Sequence, residues 1–309
     1  MTVYVVPCGI SVLGAWDRRN SPSRPVGAKI GKIIEALDRW ATDTPLTSTD
    51  RDRIADADVI TSALTMCDAA AKDAKLPEWP AEICAETSTL SQRGVRRLTG
   101  HDRRVILLAS DTREGISAAF CVAYMIAAGD GQRIRYVSAP TSDLEANAFR
   151  GMIHPGAVTI TRLPGLPGDL DQAVGAIGHV LRAAHLLNED MEVHLTGGFK
   201  ITLLHTLAMT EIVYSMAPER TSAWYTFQDH DAGATRINLR CYAEDFHDLM
   251  RDELLRVKNG LEPRKGSDPF HAGVAWVKEG SGWRLNDFGR GYLAVLGQDG
   301  VPGSNDGGR

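Results

Sequence analysis

The stretch HLTGGFK at residues 194–200 decides the fold of this chain. Residues 191–195 alternate as a buried strand does, and residues 199–216 carry apolar side chains at helical spacing. We therefore predict that a strand turns into a helix through Gly197 and Gly198. Such a turn exposes backbone N–H groups at the start of the helix, and its glycines let an anion approach the backbone closely.

This turn leaves two interpretations open. Thr196, Gly197 and Gly198 are compatible with a plain tight turn, and they are also compatible with an anion site. A P-loop is excluded, because the glycine-rich arc before Gly-Lys-Ser/Thr is missing. Lys200 would stand in the first helical turn, where the helix dipole disfavours a cation unless an anion is bound. We develop the anion-binding interpretation.

The composition is that of an ordinary globular protein. The 309 residues are 43% hydrophobic and 24% charged, with a formal net charge of −5. Proteins that coat long nucleic acids rely on a basic surface, so this charge argues against that class. A net negative charge is still compatible with a small anionic ligand bound in a local positive pocket.

The cysteines predict neither a disulfide framework nor a metal site. They are five, an odd number, and none is paired with another cysteine or a histidine at metal-ligand spacing. We see no signal peptide before the first predicted strand and no apolar run of membrane-spanning length. We expect a cytoplasmic protein with reduced thiols and no membrane contact. The cysteines are Cys8, Cys67, Cys84, Cys121 and Cys241.

Alternating strand and helix patterns predict the architecture of residues 1–242. The pattern is typical of an α/β domain, Rossmann-like, with a mostly parallel sheet. The predicted strands are 3–6, 104–109, 134–138, 157–162, 191–195 and a closing hairpin of 221–227 with 235–239. The predicted helices are 29–40, 50–75, 80–97, 114–128, 169–187 and 199–216.

Residues 243–298 are predicted to form a small C-terminal appendage, helical and winged-helix-like. It has a helix at 243–257, a hairpin of 274–277 with 283–285, and a last helix from residue 288. No basic helix precedes the hairpin as in DNA-binding winged helices, so DNA binding is not expected. Dimerisation or capping of the core is the role that we favour. Residues 299–309 are predicted to be a disordered tail.

Polar clusters follow three of the predicted strands. They are Gly9-Ile10-Ser11, Ser110-Asp111-Thr112-Arg113-Glu114, and the segment from Thr196 to Lys200. In a parallel sheet the ends of these strands meet at one edge, where ligands bind. Hydroxyls, glycines and a lysine at one edge suit a phosphodiester ligand. Ser11 and Thr112 taken singly are explained equally well by ordinary loop polarity.

Five short motifs in this order resemble one known family, the CARF-domain proteins of type III CRISPR systems, and among them the stand-alone ring nucleases. The match covers most of residues 1–242 and departs at Ile10, where the family often has a threonine. The motifs are Gly9-x-Ser11, Ala85-Glu86 with Leu90, Ser110-Asp111-Thr112-x-Glu114-Gly115, Thr196-Gly197-Gly198-Phe199-Lys200, and Trp224-Tyr225.

The resemblance implies a homodimer that binds one cyclic tetra- or hexa-adenylate across its two-fold axis, so that each loop is used twice. Glu86 either lines this pocket or faces solvent on its helix. The ligand-binding residues implied are Gly9, Ile10, Ser11, Glu86, Ser110, Asp111, Thr112, Thr196, Gly197, Gly198, Phe199 and Lys200.

Ring cleavage is the activity that the resemblance implies, and it ends the antiviral signal. A ribose 2′-OH attacks the adjacent phosphate, which requires in-line positioning and stabilised negative charge but no metal and no cofactor. Lys200 and Ser11 are the predicted catalytic residues. Lys200 stabilises the transition state, Ser11 holds the ribose or phosphate, and Gly197 and Gly198 supply N–H donors.

The sequence gives weaker support to three other functions. The main alternative is a non-catalytic sensor whose C-terminal unit acts on DNA or a protein partner. A dinucleotide-dependent enzyme is disfavoured because no GxGxxG follows a predicted strand. Arg96 with His101 and Arg240 with His247 match the loose Arg-x4-6-His spacing of HEPN ribonucleases, but too little chain follows Arg240 for a helical bundle.

Overall fold

A seven-stranded sheet forms the centre of the computed structural model, which describes residues 1–12, 84–95, 97–98, 100–128, 130–198, 200–226, 233–264 and 275–297. The strand order is β3-β4-β2-β1-β5-β6-β7, and only β7 runs antiparallel to its neighbour. The predicted Rossmann-like α/β class is therefore confirmed. The strands are β1 Thr2–Cys8, β2 Arg103–Ser110, β3 Ile134–Ser138, β4 Val158–Leu163, β5 Asp190–His194, β6 Thr221–Tyr225 and β7 Thr235–Ile237.

Seven α-helices belong to the described part of the chain, together with a short 3-10 helix at Gly131–Arg133 and a two-stranded hairpin. The helices are α1 Ala85–Gln92, α2 Arg113–Ile126, α3 Asp143–Met152, α4 Leu170–His185, α5 Lys200–Met216, α6 Glu244–Lys258 and α7 Asp287–Leu296. The hairpin consists of β8 Trp276–Glu279 and β9 Gly282–Leu285. None of the described helices has the length and apolar character needed to cross a bilayer.

Both faces of the sheet are covered, which explains why its central strands read as continuous apolar runs. On one face Tyr4 and Val6 pack in a core with residues of α1 and α2. On the other face Val3 and Val5 pack in a core with residues of α3, α4 and α5. Alternate residues of β1 thus serve two cores.

The order of the strands places the predicted loops next to one another. Strand β1 lies between β2 and β5, with Cys8 opposite Ala109 and Val5 opposite Val193. Adjacent strands are about 4.8 Å apart. The loops that follow β1, β2 and β5 therefore leave the sheet side by side at its carboxyl edge, where the strand order reverses.

The C-terminal residues 275–297 pack directly on α4. Their apolar side chains, including the buried Trp276, belong to the same core as α4. A Cβ on Gly178 of α4 would lie 2.4 Å from the carbonyl oxygen of Gly291 in α7. The buried Arg182 of α4 donates hydrogen bonds to the carbonyl oxygen of Val295, at 3.2 Å, and to that of Leu296, at the end of α7. The last helix is thereby held at its C-terminus.

The predicted elements agree with the structure to within a few residues at most ends, but the short 3-10 helix Gly131–Arg133 was not among them. Helix α3 was not predicted from the sequence. The predicted helices 29–40 and 50–75 and the predicted tail 299–309 lie outside the described residues, and so do parts of the predicted helix 80–97.

Candidate functional site

A buried carboxylate joins the loop after β1 to helix α1. Glu86, in the first turn of α1, is 0% exposed. Its Oε1 accepts a hydrogen bond of 2.7 Å from the backbone N–H of Gly9, and its Oε2 accepts one of 3.0 Å from the hydroxyl of Ser11. The N-terminal end of a helix favours a negative charge, which contributes to holding the carboxylate there. Of the two positions predicted for Glu86, a solvent-facing one is excluded.

The two glycines after β5 lie against the same carboxylate. A Cβ on Gly197 would be 2.2 Å from Oε1 of Glu86, and a Cβ on Gly9 would be 2.9 Å from the backbone nitrogen of Gly198. Gly198 has a φ of +96°, in the left-handed region that favours glycine. We refer to Gly9, Ser11, Glu86, Gly197 and Gly198 as the Glu86 cluster. Only residues without a side chain fit at its three glycine positions.

Two backbone N–H groups of the Glu86 cluster are available as hydrogen-bond donors. No hydrogen bond of the N–H of Gly197 or of Gly198 is found among the described residues. Both N–H groups stand directly before α5, at the positive end of its dipole. They are the kind of donors that bind a phosphate at a helix N-terminus.

Thr196 is held by neighbouring elements. Its hydroxyl oxygen accepts hydrogen bonds from the Thr89 hydroxyl of α1, at 2.8 Å, and from the backbone N–H of Thr226, at 2.9 Å. The hydroxyl of Thr226 in turn donates to Oε1 of Gln92 at 3.1 Å. Thr196 thereby connects α1 with the end of β6 and fixes the start of the glycine turn.

The loop after β2 directs its hydroxyls to the start of α2. Thr112 caps that helix by accepting a hydrogen bond of 3.1 Å from the N–H of Gly115, and the buried hydroxyl of Ser110 lies 2.9 Å from the Thr112 oxygen. Asp111 points to β4, where its Oδ1 accepts a hydrogen bond of 2.5 Å from Nε of Arg162. The three side chains thus have partners within the protein, and their contact with a ligand stays a prediction.

An exposed lysine and exposed apolar side chains lie close in the chain to the glycines of the Glu86 cluster. Lys200, the first residue of α5, is exposed, and it has no ion pair or hydrogen bond within the described part of the chain. Ile10 is 52% exposed, Ile201 44% and Leu204 66%. Phe199, which was also predicted to bind ligand, lies outside the described residues.

The Trp224 motif residue belongs to an ionic network at the end of α1. The Arg93 guanidinium lies 3.7 Å from the centre of the Trp224 ring and donates two hydrogen bonds, of 3.0 and 2.9 Å, to Glu192. Burial raises the pKa of Glu192, but the neighbouring His194 ring and Arg93 outweigh it and lower this pKa to about 2. This network fixes α1, and with it Glu86, against β5 and β6.

Several residues that shape the site carry no sequence signal of their own. Thr89 and Thr226 hold Thr196, and Arg162 with the N–H of Gly165 holds Asp111. Each of these contacts joins residues that are distant in the sequence. Only the fold brings them together.

Arg240 and His247, which match HEPN ribonucleases in spacing alone, have structural partners. Arg240 is hydrogen-bonded to both carboxylate oxygens of Glu211. His247 is buried, and its Nδ1 lies 3.4 Å from the hydroxyl of Tyr292. Arg96, of the other pair, lies outside the described residues.

A cleft of about 730 Å³ lies away from the predicted loops. It is bordered by the first turns of α3 and α4, by Trp283 and Arg284 of the C-terminal hairpin, and by α7. None of the predicted site residues lines it. Among the residues that the structure describes, no group of three or more His, Cys, Asp or Glu side chains is placed to hold a metal ion.

Comparison with known proteins gave no assignment. A scan of protein-family models found none that matches this chain, and a search of curated proteins found no similar sequence.

Proposed function

We propose that this chain binds a cyclic oligoadenylate, preferably the tetra-adenylate, at the Glu86 cluster and cleaves it without a metal ion. The observation that carries the proposal is the convergence of three distant motifs on one buried carboxylate, beside an exposed lysine. Gly9 and Ser11, Glu86, and Gly197 and Gly198 meet through the contacts of Glu86. These are the motifs whose order in the sequence resembles the CARF family.

The charges and donors of the site suit a phosphodiester. The two N–H groups before α5 have no hydrogen-bond partner among the described residues, and the ammonium of Lys200, in the first turn of that helix, has no ion pair there. A helix N-terminus with glycines and a lysine binds phosphate through the backbone and through charge.

Exposed apolar side chains next to the site support a shared pocket. Ile201 and Leu204 of α5 and Ile10 of the first loop expose 44%, 66% and 52% of their surfaces. Apolar side chains grouped beside a polar site are typical of protein interfaces. A two-fold axis through this surface would place two copies of each loop around one ring of matching symmetry.

The proposed reaction breaks one phosphodiester bond and forms another. The ribose 2′-oxygen attacks the adjacent phosphorus, the P–O5′ bond breaks, and the products are a 2′,3′-cyclic phosphate and a 5′-hydroxyl. The 2′-OH proton passes to solvent and the leaving oxygen takes one from solvent. Lys200 stabilises the additional negative charge on the phosphorus oxygens. Removal of the ring would switch off type III CRISPR signalling, as in the family that the sequence resembles.

Calorimetric titration tests the binding step. We expect cyclic tetra-adenylate to bind with one ring per two chains, and linear tetra-adenylate to bind more weakly because its ends are free. Lys200→Ala should weaken binding, whereas Lys258→Ala, which removes an exposed lysine at the end of α6, should not. Absence of binding to both the tetra- and the hexa-adenylate ring would refute the proposal. Binding of a ring that then remains intact would favour the non-catalytic sensor.

A further inference from the structure

The hydrogen bond between Ser11 and Glu86 has a fixed direction. A serine hydroxyl carries a single hydrogen, and a carboxylate oxygen only accepts. At 3.0 Å from Oε2 of Glu86, the hydroxyl of Ser11 therefore gives its hydrogen to the carboxylate. What Ser11 offers to a ligand is its oxygen, as an acceptor.

The surroundings of Glu86 leave its Oε2 no other donor than the Ser11 hydroxyl among the described residues. Its other oxygen is engaged by the N–H of Gly9 at 2.7 Å, and the backbone of Gly197 lies against the carboxylate. The side chain is 0% exposed, so water does not compete for its oxygens. An unpaired buried carboxylate oxygen would be costly, which holds the Ser11 hydroxyl in place. Ser11 itself is only partly buried, so its oxygen remains accessible to a ligand.

This direction excludes the phosphate oxygens as hydrogen-bond partners of Ser11. Phosphodiester oxygens only accept hydrogen bonds, so an oxygen that can only accept does not bind them. The sugar donor of an RNA ring is the ribose 2′-OH, the group that also distinguishes RNA from DNA. We propose that Glu86 is a positioning residue that presents Ser11 as an acceptor for a ribose 2′-OH, and thereby makes the site selective for ribose over deoxyribose. This inference rests on the proposed function.

The same contact bears on reactivity. A 2′-OH that donates its hydrogen to Ser11 keeps its lone pairs directed away from Ser11, towards the adjacent phosphorus. Ser11 therefore orients the attacking oxygen, and the negative charge of the phosphate is left to Lys200 and the glycine N–H groups. Of the two roles predicted for Ser11, holding ribose or holding phosphate, the geometry points to ribose.

Glu86→Gln tests the direction of the hydrogen bond with little change of shape. The glutamine carbonyl still accepts from Gly9, and its amide group now donates to Ser11, so the hydroxyl hydrogen is released towards the ligand. We would measure the affinity of the wild-type protein and this variant for cyclic tetra-adenylate and for the same ring with 2′-deoxyriboses. Two lost hydrogen bonds per ring should make the wild type prefer the ribose ring by about tenfold. In Glu86→Gln this preference should fall below about threefold.

Ser11→Ala provides a second measurement that leaves Glu86 bonded to Gly9, so the test does not depend on the folding of Glu86→Gln. It should also lose the preference for ribose, while Ser142→Ala, which removes the distant cap of α3, should keep it. A wild-type preference that both Glu86→Gln and Ser11→Ala retain would overturn the inference, although the proposed function would stand. Failure of the wild type to bind either ring would instead overturn the proposed function and this inference with it.

Discussion

Gly197 and Glu86 are packed so closely that a Cβ on Gly197 would lie 2.2 Å from the carboxylate Oε1 and 2.6 Å from the carboxylate carbon. The glycine turn after β5 thus rests on a side chain of α1, and that side chain also holds the loop after β1. Through Glu86, the positions of two loops depend on one another. This dependence makes the geometry of the site sensitive to single substitutions.

Gly197→Ala should move the carboxylate and release the hydroxyl of Ser11. Because Glu86 is buried and hydrogen-bonded, the clash should cost about 1–3 kcal/mol of unfolding free energy. The affinity for the ring should fall by more than the loss of unfolding free energy accounts for, since both loops move away from the positions in which they contact the ligand. Gly151→Ala is the matched control, because a Cβ there meets nothing within 4 Å. Chemical denaturation and calorimetry would measure both effects, and a Gly197→Ala variant that binds as tightly as wild type would contradict the packing.

Leu204→Glu should convert a dimer into a monomer. Leu204 is 66% exposed on α5 beside Lys200, and a charge there would have to be buried at the expected interface. Light scattering should show half the mass, and ring binding should be lost together with the shared pocket. Leu144→Glu, at a side chain 81% exposed on α3, should leave both unchanged. A monomeric wild type that still binds the ring would be incompatible with a pocket built by two chains.

Two glycines of α4 should respond to alanine in opposite directions. At Gly178 a Cβ would lie 2.4 Å from the carbonyl oxygen of Gly291, so α7 would have to move away, at a cost of about 1–3 kcal/mol. At Gly175 a Cβ meets nothing within 4 Å, and alanine there should stabilise the helix by about 0.5–1 kcal/mol. Denaturation curves of the two variants would check the packing of α7. Equal effects would show that α7 does not contact α4 as described.

Stability should decrease as the pH falls below about 6.5, the ordinary pKa of histidine. Burial lowers the pKa of His179 to about 4, so between these values the unfolded chain takes up a proton that the folded protein does not. His179 alone should cost roughly 3 kcal/mol over this interval. The unfolding free energy of His179→Gln should therefore change less with pH than that of the wild type. His154→Gln, at an exposed histidine, is the control, and identical pH profiles of wild type and His179→Gln would contradict this assignment.

The fold was accessible from the sequence because its strongest patterns are local. The strand at 104–109, buried on both faces, and the glycine turn at 197–198 appear where they were predicted. Helix α3 was missed because it is short and its pattern is weak: charged and amide residues are mixed with the apolar ones, and it buries only Ala146 and Phe149. A capping signal was present, since the Ser142 hydroxyl accepts from the N–H of Glu145.

The site was accessible only in part, because side-chain direction depends on partners distant in the sequence. The sequence placed Asp111 at the correct edge of the sheet, but it did not indicate that Arg162 draws its carboxylate towards β4. It left open whether Glu86 faces the pocket or solvent, and the partners that decide this, Gly9 and Ser11, lie 77 and 75 residues away. The sequence motifs thus predict where the loops lie, whereas contacts between residues distant in the sequence determine which side-chain atoms of those loops face a ligand.

Cleavage of cyclic tetra-adenylate in the presence of EDTA tests the central claim most directly. With wild-type protein in excess over a saturating ring, single-turnover reactions should yield linear products that end in a 2′,3′-cyclic phosphate, resolved by chromatography. Lys200→Ala, measured when fully bound, should be slower by about 10²–10³, because one charged group is lost from the transition state. Lys200→Arg should restore binding better than rate, since the guanidinium keeps the charge but not the compact ammonium. An intact ring after prolonged incubation with wild type, or equal rates for wild type and Lys200→Ala, would contradict the account.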